Sequence, residues 1–158
     1  MALPSGTLSS CTLCVELSTD GTTWTDFSDY VTVVEPPEMS RISGEAFVLG
    51  EDIAVVTGGK LNPVEVQIRS VYVDSTATSN PFSYVWAEFT AACGDAVHVK
   101  WSPAGCTTGN QSFSTATATG MPAEMITLTL PGGDGSDGSP ILWGAVIKAP
   151  TIYRATRA

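Results

Sequence analysis

The sequence predicts a mainly β fold, a β-sandwich or partly open barrel carrying one flanking α-helix. Three observations predict it. Charged residues make up only 15% of the chain, while Gly, Ser and Thr are abundant, a balance that suits short strands and turns. Most apolar residues recur at period two, in short runs bounded by Gly, Pro, Asn or Asp. Only one stretch, near residues 81–93, has a clear helical period, and strands flank it on both sides. At 158 residues the chain is expected to form one domain with a real core.

Residues 1–10, rich in Ser, Thr, Gly and Pro, read as a flexible N-terminal arm. Thr12 to Ser18 is a first strand, and Asp20-Gly21 is its hairpin turn. Thr22 to Phe27 returns, anchored by Trp24, and Asp29 to Val34 is another β-rich run. Pro36-Pro37 ends that run, because neither proline donates to a ladder. Residues 35–60 form a long, irregular connection, with Met39, Ile42, Phe47, Val48 and Leu49 interleaved among charges and glycines. Two readings stand open for it: a hairpin folded over its own core, or an arm that buries those side chains against a neighbouring copy. Ile53 to Thr57 reads as a strand that Gly58-Gly59 ends.

Val64 to Asp74 is the clearest strand, with Val64, Val66, Ile68 and Tyr72 alternating against Glu65, Gln67 and Arg69. In the helix, Phe82, Val85, Trp86 and Phe89 make one apolar stripe, Asn80 is the N-cap, Pro81 takes the first position and Gly94 closes the last turn. A helix of about 12 residues is marginal alone, so its stripe needs a sheet to lie on. Ala96 to Trp101 is a strand with Val97, Val99 and Trp101 inward. Gln111 to Thr119 alternates small and polar residues and reads as a solvated or lumen-facing strand. Glu124 to Leu130 places Ile126, Leu128 and Leu130 on one face, and residues 131–140 form a flexible Gly-rich loop. Ile141 to Lys148 is a strong apolar strand. Thr151 to Arg154 is a last short strand, followed by a frayed tail.

The net charge of −9 speaks against binding nucleic acid by phosphate neutralisation. It permits a wall that DNA slides past without sticking. Residues 1–52 hold nine acids against one base, Arg41, whereas residues 148–158 hold Lys148, Arg154 and Arg157 and no acid. Such poles suit a self-associating subunit, since opposite charge favours encounter and register. The N-terminus carries no secretory pattern and no apolar run has membrane-spanning length, so a reducing cytosol is expected. Cys11 and Cys14 form a C-x-x-C, and Cys93 and Cys106 stand 13 apart, a weak match to a zinc site. The intervening strand would hold Cys93 and Cys106 roughly 20 Å apart, so free, buried or half-buried thiols are expected for all four.

Enzymatic chemistry finds no support. His98, the single histidine, sits mid-strand, out of phase with the apolar face, and reads as solvent-side or hydrogen-bonded. Gly132 to Gly138 lacks the lysine of a P-loop and the ligand spacing of an EF-hand. No catalytic residue, metal ligand or cofactor is therefore expected.

Several pieces occur in a telling order. They are Thr19-Asp20-Gly21-Thr22-Thr23-Trp24-Thr25-Asp26, then Ser43-Gly44-Glu45-Ala46-Phe47-Val48-Leu49-Gly50, then Gly58 to Pro63 leading into Val64 to Arg69. The helix follows, then Val97 and Lys100-Trp101-Ser102-Pro103-Ala104-Gly105, and last Ala149-Pro150-Thr151-Ile152. In this order the chain resembles the major tail tube proteins of long flexible-tailed (siphovirus-type) bacteriophages, and their relatives in the type VI secretion tube, over most of residues 12–152. The resemblance implies a β-sandwich with a flanking helix, joined edge to edge into a ring, usually a hexamer. Rings stack into the virion tail tube through which DNA passes, assembled in the host cytoplasm. Implied partners are copies of the chain, other tail proteins and DNA in transient, non-specific passage; no membrane is implied. Expected subunit contacts are Arg41, Phe47, Leu49, Glu51, Asp52, Lys148, Arg154 and Arg157. Expected lumen-facing residues are Ser112, Ser114, Thr115 and Thr117. The alternative is a virion decoration or glycan-binding adhesion sandwich, which predicts exposed Trp or Tyr on a concave face. A third reading, a metal or esterase-like enzyme, predicts bound zinc.

Overall fold

A computed structural model describes residues 8, 10–47, 49, 54–77, 79–91, 96–116 and 123–158. Its strands are β1 (Cys14–Ser18), β2 (Thr25–Asp26), β3 (Val31–Val34), β4 (Arg41–Phe47), β5 (Ala54–Leu61) and β6 (Val64–Val71). Helix α1 (Pro81–Thr90) follows, then β7 (His98–Ser102), β8 (Gln111–Ser114), β9 (Glu124–Gly132), β10 (Leu142–Ala149) and β11 (Tyr153–Thr156). One antiparallel sheet has the order β11-β8-β7-β1-β2, a second has β3-β6-β10-β9, and β4-β5 stand apart as a third.

The first two sheets share one core. In β6, Val64, Val66, Ile68 and Ser70 are buried while Glu65, Gln67 and Arg69 are exposed, the period-two pattern read from the sequence. β10 pairs along the whole of β6 and turns Trp143, Ala145 and Ile147 to the same side. From the other sheet, Val15 and Leu17 lie opposite Trp101 and Val99 across the β1–β7 pair and complete the cluster. This is the mainly β architecture with one helix that the sequence predicts.

Helix α1 lies against this core. Asn80 caps it as expected, its side chain accepting from the Phe82 N–H at 3.1 Å, with Pro81 at the first position. Val85 is fully buried, worth about 1.5–3 kcal/mol. Phe82 meets Trp143 edge-on at 5.4 Å, and Tyr84 tilts against Phe27 at 5.4 Å. The helix is shorter than expected, however. It stops at Thr90, where Ala91 turns extended, and the Thr90 hydroxyl donates to the Trp86 carbonyl at 2.8 Å. Gly94 lies outside the described residues. Trp86 and Phe89, read as core, stay exposed.

Other elements depart from the sequence reading. β8 is not solvated: it is paired on both sides, by β7 and β11, and Ser112 and Ser114 are buried. The tail is not frayed, because β11 runs to Thr156 and the Arg157 N–H donates to the Asn110 carbonyl at 2.9 Å. In β9 a register shift opposite Val146 and Ile147 turns Met125 inward, so Ile126 and Leu130 face out and Leu128 is half-buried. His98 is buried, not solvent-side. Burial holds its pKa below the usual histidine value, against the opposing hydrogen bond of the ring to the Thr115 backbone. The β1–β2 turn beside His98 needs Gly21, whose φ is +74° and where a Cβ would stand 3.1 Å from Ala116 Cβ.

Candidate functional site: surfaces open to assembly

The first surface is the stretch 35–60. It is an arm: β4 and β5 pair with each other, Arg41 opposite Leu61 and Phe47 opposite Ala54, and among the described residues with no other strand. The strand continues through Gly58-Gly59 instead of ending there. Gly59 is required, since a Cβ would lie 2.9 Å from the Ile42 carbonyl oxygen. At the root, the Asn62 N–H donates to the Ser40 carbonyl at 2.9 Å, and Arg41 Nη1 donates to the Gly59 carbonyl at 3.1 Å. The arm does not fold over its own core. Phe47 is 73% exposed, Leu49 101% and Val56 68%, with Ile42 and Val55 also exposed. Monomeric soluble domains rarely leave so many large apolar side chains of one hairpin uncovered.

The second surface is a groove of about 720 Å³ between α1 and the end of the β9–β10 pair, lined by Tyr72, Phe82, Trp86, Leu130 and Ile141 with Asp74 at its rim. Its aromatic floor is ordered: Tyr72 meets Phe82 edge-on at 5.2 Å, and Phe82 meets Trp86 at 5.8 Å. Trp86 is 44% exposed and Leu130 60%. The third surface is the set of sheet borders. β3 and β9 end the four-stranded sheet, and β9 carries Ile126 and Leu130 outward.

The predicted contact residues divide among these places. Arg41, Phe47 and Leu49 belong to the arm. Glu51, Asp52 and Thr117 lie outside the described residues. Lys148 sits on the exposed face of β10, 3.6 Å from the Glu65 carboxylate. Arg154 is exposed on β11 and its Nε donates to Gln111 at 3.0 Å. Arg157 is different: it is held inside its own chain. Its Nη1 and Nη2 donate to the two Glu16 oxygens at 2.6 and 3.1 Å, and Nη1 also reaches Ser102 Oγ at 3.2 Å. Lys100 Nζ adds a 2.9 Å contact to Glu16 and lies 4.4 Å from the Trp24 ring centre. Burial pushes the Glu16 carboxyl up, but Arg157 and Lys100 more than reverse this and leave it below the usual glutamate value. The Glu16 hydrogen bond in turn pushes Arg157 up.

Ser112, Ser114 and Thr115 are also turned inward. Ser112 Oγ donates to the Ala155 carbonyl at 3.2 Å, and Thr115 Oγ1 accepts from the Val99 N–H at 3.0 Å. Their hydroxyls satisfy backbone groups in the wall between strands, so these three do not face water. Small polar composition signalled polarity but not which face held it.

The thiol expectation is corrected as well. Cys14 and Cys106 form a disulfide, with 5.2 Å between their Cα atoms. Distance along the chain concealed it. The β1–β7 pair sets Cys14 opposite Ser102, and a turn at Gly105, φ +100°, brings Cys106 back to it. Asp26 lies beside this sulfur pair, but cross-linked sulfurs are not thiolate ligands. Cys11 is exposed and outside the disulfide; Cys93 is outside the described residues.

No protein-family model and no curated relative matches the sequence. Solved structures do match the fold. A chain of the anti-feeding prophage cap, the tube-terminating cap, superposes with a TM-score of 0.71 at 12% identity, covering 99% of this chain and 95% of that one. A chain from the sheath–tube complex of an extracellular contractile injection system superposes at 0.68 and 12% identity, over 97% and 94%. A chain from the tail of an empty GTA particle, refined helically with C6 symmetry, superposes at 0.55 and 9% identity, over 96% and 100%. The chain thus has a tail-tube-like fold, shared along nearly its whole length with components of phage-tail-like particles. Among the described residues no helix is long and apolar enough to cross a membrane.

Proposed function

We propose that this chain is a structural, non-enzymatic subunit that joins copies of itself into rings stacked as the tail tube of a phage, with DNA passing through. The observation that carries the reading is the arm, which shows Phe47, Leu49 and Val56 to solvent on a hairpin paired only with itself. A chain built so completes its burial through another molecule. The borders β3 and β9 belong to one sheet, and beyond the Ala96 bridge at Glu124 pairing β9 of one copy with β3 of the next would continue that sheet around a ring. Its outward face would then line the lumen. That face carries Glu65, Gln67, Thr127 and Lys148, with Lys148 near Glu65 and Arg69 3.8 Å from Glu35. Such self-neutralised pairs offer a DNA backbone neither a basic track nor a strong repulsive field. The likeness to tube and tail components supports the same reading. Other tail proteins would meet the ends of the tube.

Electron microscopy of the purified protein at high concentration tests this. Rings or tubes of one repeating subunit are expected; a field of uniform monomers at every concentration would overturn the proposal.

A further inference from the structure

Exposed large apolar side chains cluster at two main places, and these lie at opposite ends of the molecule. Ile42, Phe47, Leu49, Val55 and Val56 are on the arm; Trp86, Leu130 and Ile141 line the groove beside α1. The arm is rooted where β5 passes through Asn62-Pro63 into Val64, at the start of β6. The groove begins at Tyr72, just past the other end of β6, where the Tyr72 N–H donates to the Ile141 carbonyl at 2.8 Å. The eight residues of β6 set root and groove roughly 25 Å apart. They also lie toward opposite borders of the sheet, since the arm follows β3 and Leu130 sits on β9. The chain's own arm does not reach its own groove: Phe47 and Leu49 remain open to solvent.

We infer that the aromatic groove between α1 and the β9–β10 pair receives the arm tip of a second copy of this chain. The inference rests on the self-assembly reading above and names the acceptor for the arm. A donor at one end and an acceptor at the other make a heterologous contact. Such a contact repeats from copy to copy and builds a filament unless its rotation closes it. The chemistry matches at both sides. Phe47 brings a ring to the contiguous rings of Tyr72, Phe82 and Trp86, and Leu49 brings an aliphatic end to Leu130 and Ile141. Trp and Tyr in a pocket that another chain closes are the residue types that dominate binding at such contacts.

The test incorporates p-benzoylphenylalanine at position 47 of the full chain, followed by irradiation, peptide mass mapping and electron microscopy of the same sample. Cross-links between two copies onto Trp86, Phe82, Leu130 or Ile141 are expected. Trp86→Ala should raise the concentration needed for assembly by about tenfold or more while the monomer unfolds as before. If particles form but position 47 cross-links within one chain, to any other surface or to nothing, the inference fails and the self-assembly reading survives. If no particle forms under any condition, both fail together.

Discussion

The strand pair β6–β10 and the arm β4–β5 are built from the same residue types and end in opposite environments. Val66, Ile68 and Ile147 are fully buried, while Val55, Val56 and Ile42 stand in solvent. Both pairs are antiparallel, β6–β10 in unbroken register and β4–β5 with one shift between Arg41 and Ser43. The difference is what each pair has behind it. β10 and β6 have a second sheet and a helix across the core, whereas the arm has nothing from its own chain. Apolar content therefore predicted a strand in both regions, but could not say which molecule supplies the cover.

That contrast can be broken at either end. The largest effect is expected in the body: Trp143→Ala should cost about 3–5 kcal/mol in urea unfolding, because it empties a packed site under α1. Next comes the cross-link that secures the body. Reducing Cys14–Cys106, which are 92 residues apart in sequence, should lower stability by about 2–4 kcal/mol, read as a shift of the unfolding midpoint with reductant. Glu16→Gln comes third. It leaves Arg157 and Lys100 half-buried without their carboxylate and should cost about 2–3 kcal/mol, below the range for a fully buried pair, because some water reaches all three.

Acid should weaken the body in two steps. His98 has a folded pKa below its unfolded value, so the unfolded chain binds the proton first and stability falls as pH drops through about 6.5. Glu16 is also depressed, so its contribution is present above about 4.5 and is lost as pH falls toward its folded value. A melting series from pH 8 to pH 3 checks both; the Glu16→Gln chain should keep the upper step and show a smaller lower one, since the hydrogen-bonded Asp20 and Asp134 carboxyls are depressed too. The smallest effect belongs to the arm: Phe47→Ala should change the stability of the monomer by less than about 0.5 kcal/mol, since its own chain does not cover it. A cost near that of Trp143→Ala would mean the two regions are not different after all.

Much of this was legible in the chain. Asn80 and Pro81 announced the helix start through the backbone N–H groups that any helix leaves open, and the β6 alternation announced its buried face. What escaped depended on partners distant in sequence. Cys14 finds Cys106 only after β1 has paired with β7. Glu16 finds Arg157 only after β11 has paired with β8 and the tail has crossed the sheet. Ser112 and Thr115 looked like a wet strand because their hydroxyls are polar, yet each spends its oxygen on a neighbouring backbone group. The groove at Trp86 was hidden for a related reason: the helical stripe was read as wholly inward, but the helix ends at Thr90 and only its Val85 side reaches the core.

The most direct measurement is the particle mass of the wild-type chain and of Phe47→Asp by analytical ultracentrifugation, with thermal unfolding of both. The account predicts large multiples of the 16.5 kDa chain for the wild type, and monomers of unchanged melting temperature for Phe47→Asp. A wild-type chain that stays monomeric at every concentration would contradict it, as would a Phe47→Asp chain that assembles as well as the wild type.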